Sequence, residues 1–155
     1  MSLTYFGSPV SEPGVIDASS SGAGNVGEVV SSLVASGSAV SLTTATPANI
    51  TSISLTAGDW DVQANVNVLG ASTTTAAAAL QQVGISTTSA TLPTDGSQVI
   101  VAVPVATTTS FNTGASIPRV RINVSITTTV YLVAEATFTA GTVTAYGGIT
   151  ARRVR

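Results

Sequence analysis

The stretch Asp59 to Leu69 alternates strictly. Trp60, Val62, Ala64, Val66 and Val68 fall on one side, and Asp59, Asp61, Gln63, Asn65 and Asn67 on the other. Successive side chains of a strand point to opposite faces, so such a run predicts a strand with one dry and one polar face. Arg119 to Ile126 repeats the pattern, with Val120, Ile122, Val124 and Ile126 inward and Arg119, Arg121, Asn123 and Ser125 outward. Further strands are predicted near 28–35, 38–44, 49–55, 78–87, 98–105, 129–139 and 142–154. They are separated by turn signals at Ser36-Gly37, Pro47-Ala48-Asn49, Ala57-Gly58-Asp59, Pro93-Thr94-Asp95-Gly96, Asn112-Thr113-Gly114 and Ala140-Gly141. Eight or nine short strands at this spacing predict an all-β sandwich or barrel. Glu28 to Ala35 also fits a helical period, and so does the short run Ala76 to Leu80. The first is read as strand because its neighbours are strands.

With 155 residues the chain has room for one domain. Residues 1–26 are rich in Pro, Gly and Ser and read as an extended N-terminal arm, with the β domain over 27–155. The arm carries short apolar hooks, Tyr5, Phe6, Val15 and Ile16, suited to ordering against a partner surface.

The residue types absent from the chain exclude much chemistry. His, Cys and Lys are missing, and the five cations are all Arg. Thiol catalysis, a Ser-His-Asp triad, a zinc finger, a Schiff base and a P-loop lysine are therefore ruled out. A net charge of −2 argues against a nucleic-acid partner, which requires a basic stripe. No apolar run approaches the roughly 18 residues of a membrane-spanning helix, and the N-terminus has no apolar segment of a secretory signal. The expectation is a non-enzymatic protein with no cofactor and no metal.

Asp59 and Asp61 share a face about 6–7 Å apart, a separation that suits paired carboxylates or a calcium site. Gln63, Asn65 and Asn67 continue that row, which favours a polar strip over catalysis. Glu135 is the lone acid in a largely apolar strand, with Arg119 and Arg121 as its natural partners, within or between subunits. Arg152, Arg153 and Arg155 crowd the C-terminus, either to hold an acidic partner or to keep a frayed edge soluble. The sequons at Asn49 and Asn123 read as accidental. The segments Val99–Val105 and Val130–Ala134 are apolar on both faces. A strand of an antiparallel sandwich normally shows one face to water, so a second subunit is expected against them. Val101, Val103, Tyr131, Val133 and Glu135 are the predicted interface residues. The alternative is a strand covered by its own loops.

A series of blocks runs through the domain. Gly27-Glu28-Val29-Val30 and Ala35 through Thr43 come first, then Ile53-Ser54-Leu55-Thr56-Ala57-Gly58-Asp59-Trp60-Asp61-Val62. Gly84 through Pro93, Thr127 through Ala134, and Ala145-Tyr146-Gly147 leading to Ala151-Arg152-Arg153-Val154-Arg155 complete it. The series resembles a family of tailed-bacteriophage and prophage virion proteins, over about residues 25–155. The resemblance implies a jelly-roll β-sandwich, similar to tumour-necrosis-factor and C1q heads, assembled as homotrimers on the capsid exterior. It implies a head-decoration (cement) protein whose partner is the major capsid protein. The alternative is the head of a fibre that binds a glycan or host receptor. It supplies no catalytic residue.

Overall fold

The computed structural model describes residues 21–71, 80–102 and 110–155. The predicted interface residue Val103 and the arm residues Tyr5, Phe6, Val15 and Ile16 lie outside them, as does all but Leu80 of the short run Ala76 to Leu80. Nine strands follow in chain order: β1 (Val29–Val34), β2 (Val40–Leu42), β3 (Ala48–Leu55), β4 (Gly58–Gly70), β5 (Leu80–Ser86), β6 (Gln98–Ala102), β7 (Phe111–Val124), β8 (Thr128–Ala136) and β9 (Val143–Arg153). A single 3-10 turn, Ser36–Ser38, is the only helical element among the described residues.

The strands form two antiparallel sheets, as in a β-sandwich. One runs β1-β9-β4-β7, with β2 also on β9. The other runs β3-β8-β5-β6. The alternating row of Asp59 to Leu69 becomes β4, paired on both sides, so its apolar face is sealed between the sheets. Trp60 and Val62 are fully buried, and Val66 and Val68 nearly so. Leu55, Val83, Ile85, Val130, Leu132 and Ile149 meet them from the other strands. Where β1 and β3 approach each other, the Ser32 and Thr51 hydroxyls are 2.6 Å apart and tie the two sheets together.

The ambiguous segment Glu28–Ala35 is strand, because pairing along β9 from Val29↔Arg152 to Val34↔Gly147 provides what an isolated helix would lack. Three local expectations fail. The turn expected at Pro47-Ala48-Asn49 falls at Thr44-Ala45, and Ala48 and Asn49 already pair with β8. Asn112-Thr113-Gly114 is not a turn but the start of β7, whose pairing with the long β4 reaches back to Gly70↔Phe111. Ile126 does not point inward: β7 ends at Val124, and Ile126 stands 72% exposed in the turn that follows.

The apolar strands β6 and β8 are organised differently from the expected interface. Val101 pairs with Gln81, and Val99 with Val83, which lies in the core. The two-residue period therefore turns Val101 toward the sandwich interior, and Ile100, 58% exposed, takes the outer face. On β8, Val130, Leu132, Ala134 and Ala136 face the core, so Tyr131, Val133 and Glu135 face outward. Tyr131 and Glu135 are half-buried. Val133 is completely buried, and the protomer achieves this alone.

Its cover is the loop between β5 and β6. Val133 sits beside Gly84 on β5 and Asn49 on β3. Asn49 holds the loop, accepting from the Ala90 amide at 2.7 Å and donating to the Ser89 hydroxyl at 2.7 Å. Pro93 packs on Gly84, so closely that a Cβ there would come within 2.5 Å of the Pro93 ring. The reading of a strand covered by its own loop thus describes Val133.

Candidate interaction faces and the ion-pair cluster

Period two along β9 turns Ala145, Ile149 and Ala151 inward and sets Arg153 in the same row. A guanidinium at the edge of a core needs partners on every side. Arg153 finds them where β4 begins and β9 ends. Its Nε donates to Glu28 at 2.9 Å, one terminal nitrogen to the Ala57 carbonyl at 2.8 Å, and the other to the Thr56 hydroxyl. Its plane lies 4.2 Å over the Trp60 ring, a cation–π contact. The indole N–H in turn donates to the Thr56 carbonyl at 3.0 Å. Gly58, at φ +148°, leaves the space that Arg153 fills, and a Cβ there would collide with the guanidinium. Glu28 is held by the Gly24 amide and by Arg153, which together keep its carboxyl below the usual range against the opposing effect of burial.

A second cluster lies on the outer face of β4 and β7. Arg121 makes two hydrogen bonds to the Asp59 carboxylate, at 2.7 and 2.5 Å, and Arg155 adds a third at 3.1 Å. The Arg121 pair is the main cause of a lowered Asp59 pKa, at about 2, with burial opposing and Arg155 assisting. Arg119 pairs with Asp61 at 3.1 Å, its side chain 70% exposed. Asp59 and Asp61 therefore do share a strip, as the alternation predicted, but each is occupied by its own arginine. Within the protomer Arg119 and Arg121 pair with Asp61 and Asp59 rather than with Glu135, because β7 pairs with β4 and β8 belongs to the other sheet.

Strand period separates Arg152 from Arg153, and Arg155 lies beyond the end of β9. Arg153 is buried, while Arg152 and Arg155 are exposed. The Glu28–Arg153 pair was missed from sequence, although the signal was present. Counting the β9 alternation forward from Ala145 sets Arg153 inward, and a buried arginine requires an acid.

The outer face of the β1-β9-β4-β7 sheet carries two adjoining troughs. The first, about 440 Å3, is lined by Val26, Asp61, Arg119, Thr150, Arg152 and Val154 among others. The second, about 360 Å3, continues from Gln63 and Thr150 to Asn65, Ser116 and Gly148. Beside them, on the rim formed by β1, Val29 and Leu33 are 46% and 76% exposed. A third cleft of about 550 Å3 lies between the β5–β6 loop and β7, lined by loop hydroxyls and Asp95. The Ser97 hydroxyl and amide both donate to Asp95 and lower its pKa.

The fold and these faces define an antiparallel two-sheet β-protein whose arginines are committed mainly to its own acids. The chain matches no family model, no curated protein and no solved structure.

Proposed function

We propose that this is a structural virion protein: a trimeric jelly roll that decorates the outside of a phage head and contacts the major capsid protein. The sheet orders β1-β9-β4-β7 and β3-β8-β5-β6, with the chain passing repeatedly between sheets, support a jelly roll over an up-and-down sandwich. The resemblance of the sequence blocks supports the virion setting. A structural role fits the acids: Glu28, Asp59 and Asp61 are each committed to arginine, and Asp95 to Ser97.

The observation that carries the assembly is the β1 rim. Val29 and Leu33 are exposed on the outer face of one sheet, Leu33 beside Gly148 at the uncharged trough over Asn65 and Ser116 and Val29 opposite Arg152. Knob and hollow sit at different places on one face. A contact between them is heterologous, the kind of contact from which a cyclic trimer is built. On the β6 and β8 face expected from sequence Val133 is covered and Val101 turns inward, which leaves Tyr131 and Glu135 half-buried there. Attachment falls to the arm, whose distal hooks Tyr5 and Phe6 reach the shell lattice. Three arms on one trimer bind at high effective concentration.

A second reading, a glycan- or receptor-binding fibre head, draws on the hydroxyl-lined cleft beside the β5–β6 loop. Counting copies in purified particles separates the two. A stoichiometry near that of the shell subunit is expected for decoration. A handful per particle would overturn it in favour of the fibre head.

A further inference from the structure

Arg152 is the one arginine without an ion pair among the described residues. It stands exposed on the outer face of β9. Its cross-strand neighbour on β4 is Asp61, but that carboxylate is taken by Arg119 of β7 at 3.1 Å. Arg119 spends one terminal nitrogen on the pair, and its side chain is 70% exposed. A guanidinium carries five N–H donors in a planar fork, so donors of Arg119 remain for a second acceptor. Both arginines line the first trough, of about 440 Å3, together with Asp61, Gln63 and Thr150. The Asp61–Arg119 pair is neutral, and Arg152 leaves one positive charge over.

The apolar walls of this trough are fixed by backbone bonds. The Val154 amide donates to the Asp59 carbonyl at 2.8 Å. The Gly27 amide donates to the Arg153 carbonyl at 2.9 Å, which holds the 67% exposed Val26 beside the end of β9. The floor is β4 and β9, each paired on both sides. Their backbone groups are spent in the ladders, so an extended peptide finds no main-chain partner there. What the trough offers is side-chain chemistry. It has one surplus positive charge, a carboxylate and an amide that accept from hydroxyls, and two small apolar walls. Asp61 also works against a dianion such as phosphate, whose second charge would face it.

We propose that this trough binds a carboxylated sugar unit of the uronic-acid type. The sugar carboxylate bridges Arg152 and the free donors of Arg119. Ring hydroxyls meet Asp61, Gln63 and Thr150, and the apolar ring face lies against Val26 and Val154. A volume of about 440 Å3 falls in the usual range of small-ligand sites. The site adjoins the uncharged trough given to assembly, goes beyond the decoration role, and is read on the purified protein without any particle.

Titration of the full chain with methyl glucuronide, followed by backbone amide NMR shifts, tests the site. Saturable shifts at Gln63, Thr150 and Arg152 are expected. Methyl glucoside has the same ring without the carboxylate and is expected to bind about tenfold more weakly, having lost its charge-assisted hydrogen bonds. Arg152→Gln brings the glucuronide down to the glucoside level. Arg152 is exposed, so this variant keeps the fold, checked by unchanged shifts at the buried positions of β4 and β9. Arg119→Lys keeps the charge beside Asp61 but loses the planar fork, and weakens the glucuronide severalfold. Leu33→Asp, altered on the assembly rim, binds as the wild type does, so failure of the trimer and failure of the site are read apart. Equal binding of glucoside and glucuronide overturns the proposal, and so does glucuronide binding indifferent to Arg152→Gln. Absence of saturable shifts in both the wild type and Leu33→Asp overturns it as well. Acetate or a short Glu-containing peptide binding as tightly as the glucuronide overturns the saccharide class.

Discussion

Arg153 shows how one side chain can fix the end of a sandwich. It joins Glu28 before β1, Thr56 and Ala57 before β4, and the face of Trp60 in the core. Removing one member of a buried pair strands the other charge, at about 3–5 kcal/mol. Arg153→Met is expected to lose about that much in urea denaturation, and Glu28→Gln combined with Arg153→Met less than the single change. Asp59 governs the acid limb. Its pKa is lowered to about 2 by Arg121 first, so the pairing contributes stability above about pH 4 and loses it as the pH falls toward 2. The melting temperature of the wild type is expected to drop across that window. Asp59→Asn melts lower at neutral pH and has a shallower acid limb. Sequence period alone set Asp59 and Asp61 on one face. It could not pair them with Arg121 and Arg119, because cross-strand partners depend on a register that includes an irregularity between Val62 and Ala64.

At the level of elements, strand positions were legible and strand environments were not. The nine strands fall close to the alternating segments, since period and turn residues are local properties. What covers a strand is not local. Val133 looked like a subunit contact because both faces of β8 are apolar. The second face is covered by the β5–β6 loop, pinned through Asn49 and seated on Gly84. Only Gly84, opposite Val133, hinted at a close approach. Gly84→Val puts side-chain atoms where Pro93 packs, an overpacking expected to cost about 1–3 kcal/mol. Faster hydrogen exchange across residues 87–97, with β4 unchanged, is the expected readout. Likewise Val101, expected on the outer face, turns inward and Ile100 takes the outside, because one residue of register decides which side of β6 is inward.

For the whole molecule, the outer face of the β1-β9-β4-β7 sheet gathers the features that the account assigns to assembly. The β1 rim, the uncharged trough and the entry of the arm all lie there, while the opposite sheet is partly covered by its own loop. Sequence period marked β6 and β8 as apolar on both faces, but the exposure of Val29 and Leu33 on β1 depends on its pairing with β9 and was not legible there. Charge placed on the rim is expected to disrupt the assembly while sparing the core, because Leu33 is 76% exposed in the protomer. The most direct measurement is the solution mass of the full chain by light scattering, alongside Leu33→Asp. Three chain masses are expected for the wild type and one for the variant, both with intact β-sheet circular dichroism. A wild type at one chain mass across micromolar concentrations would contradict it.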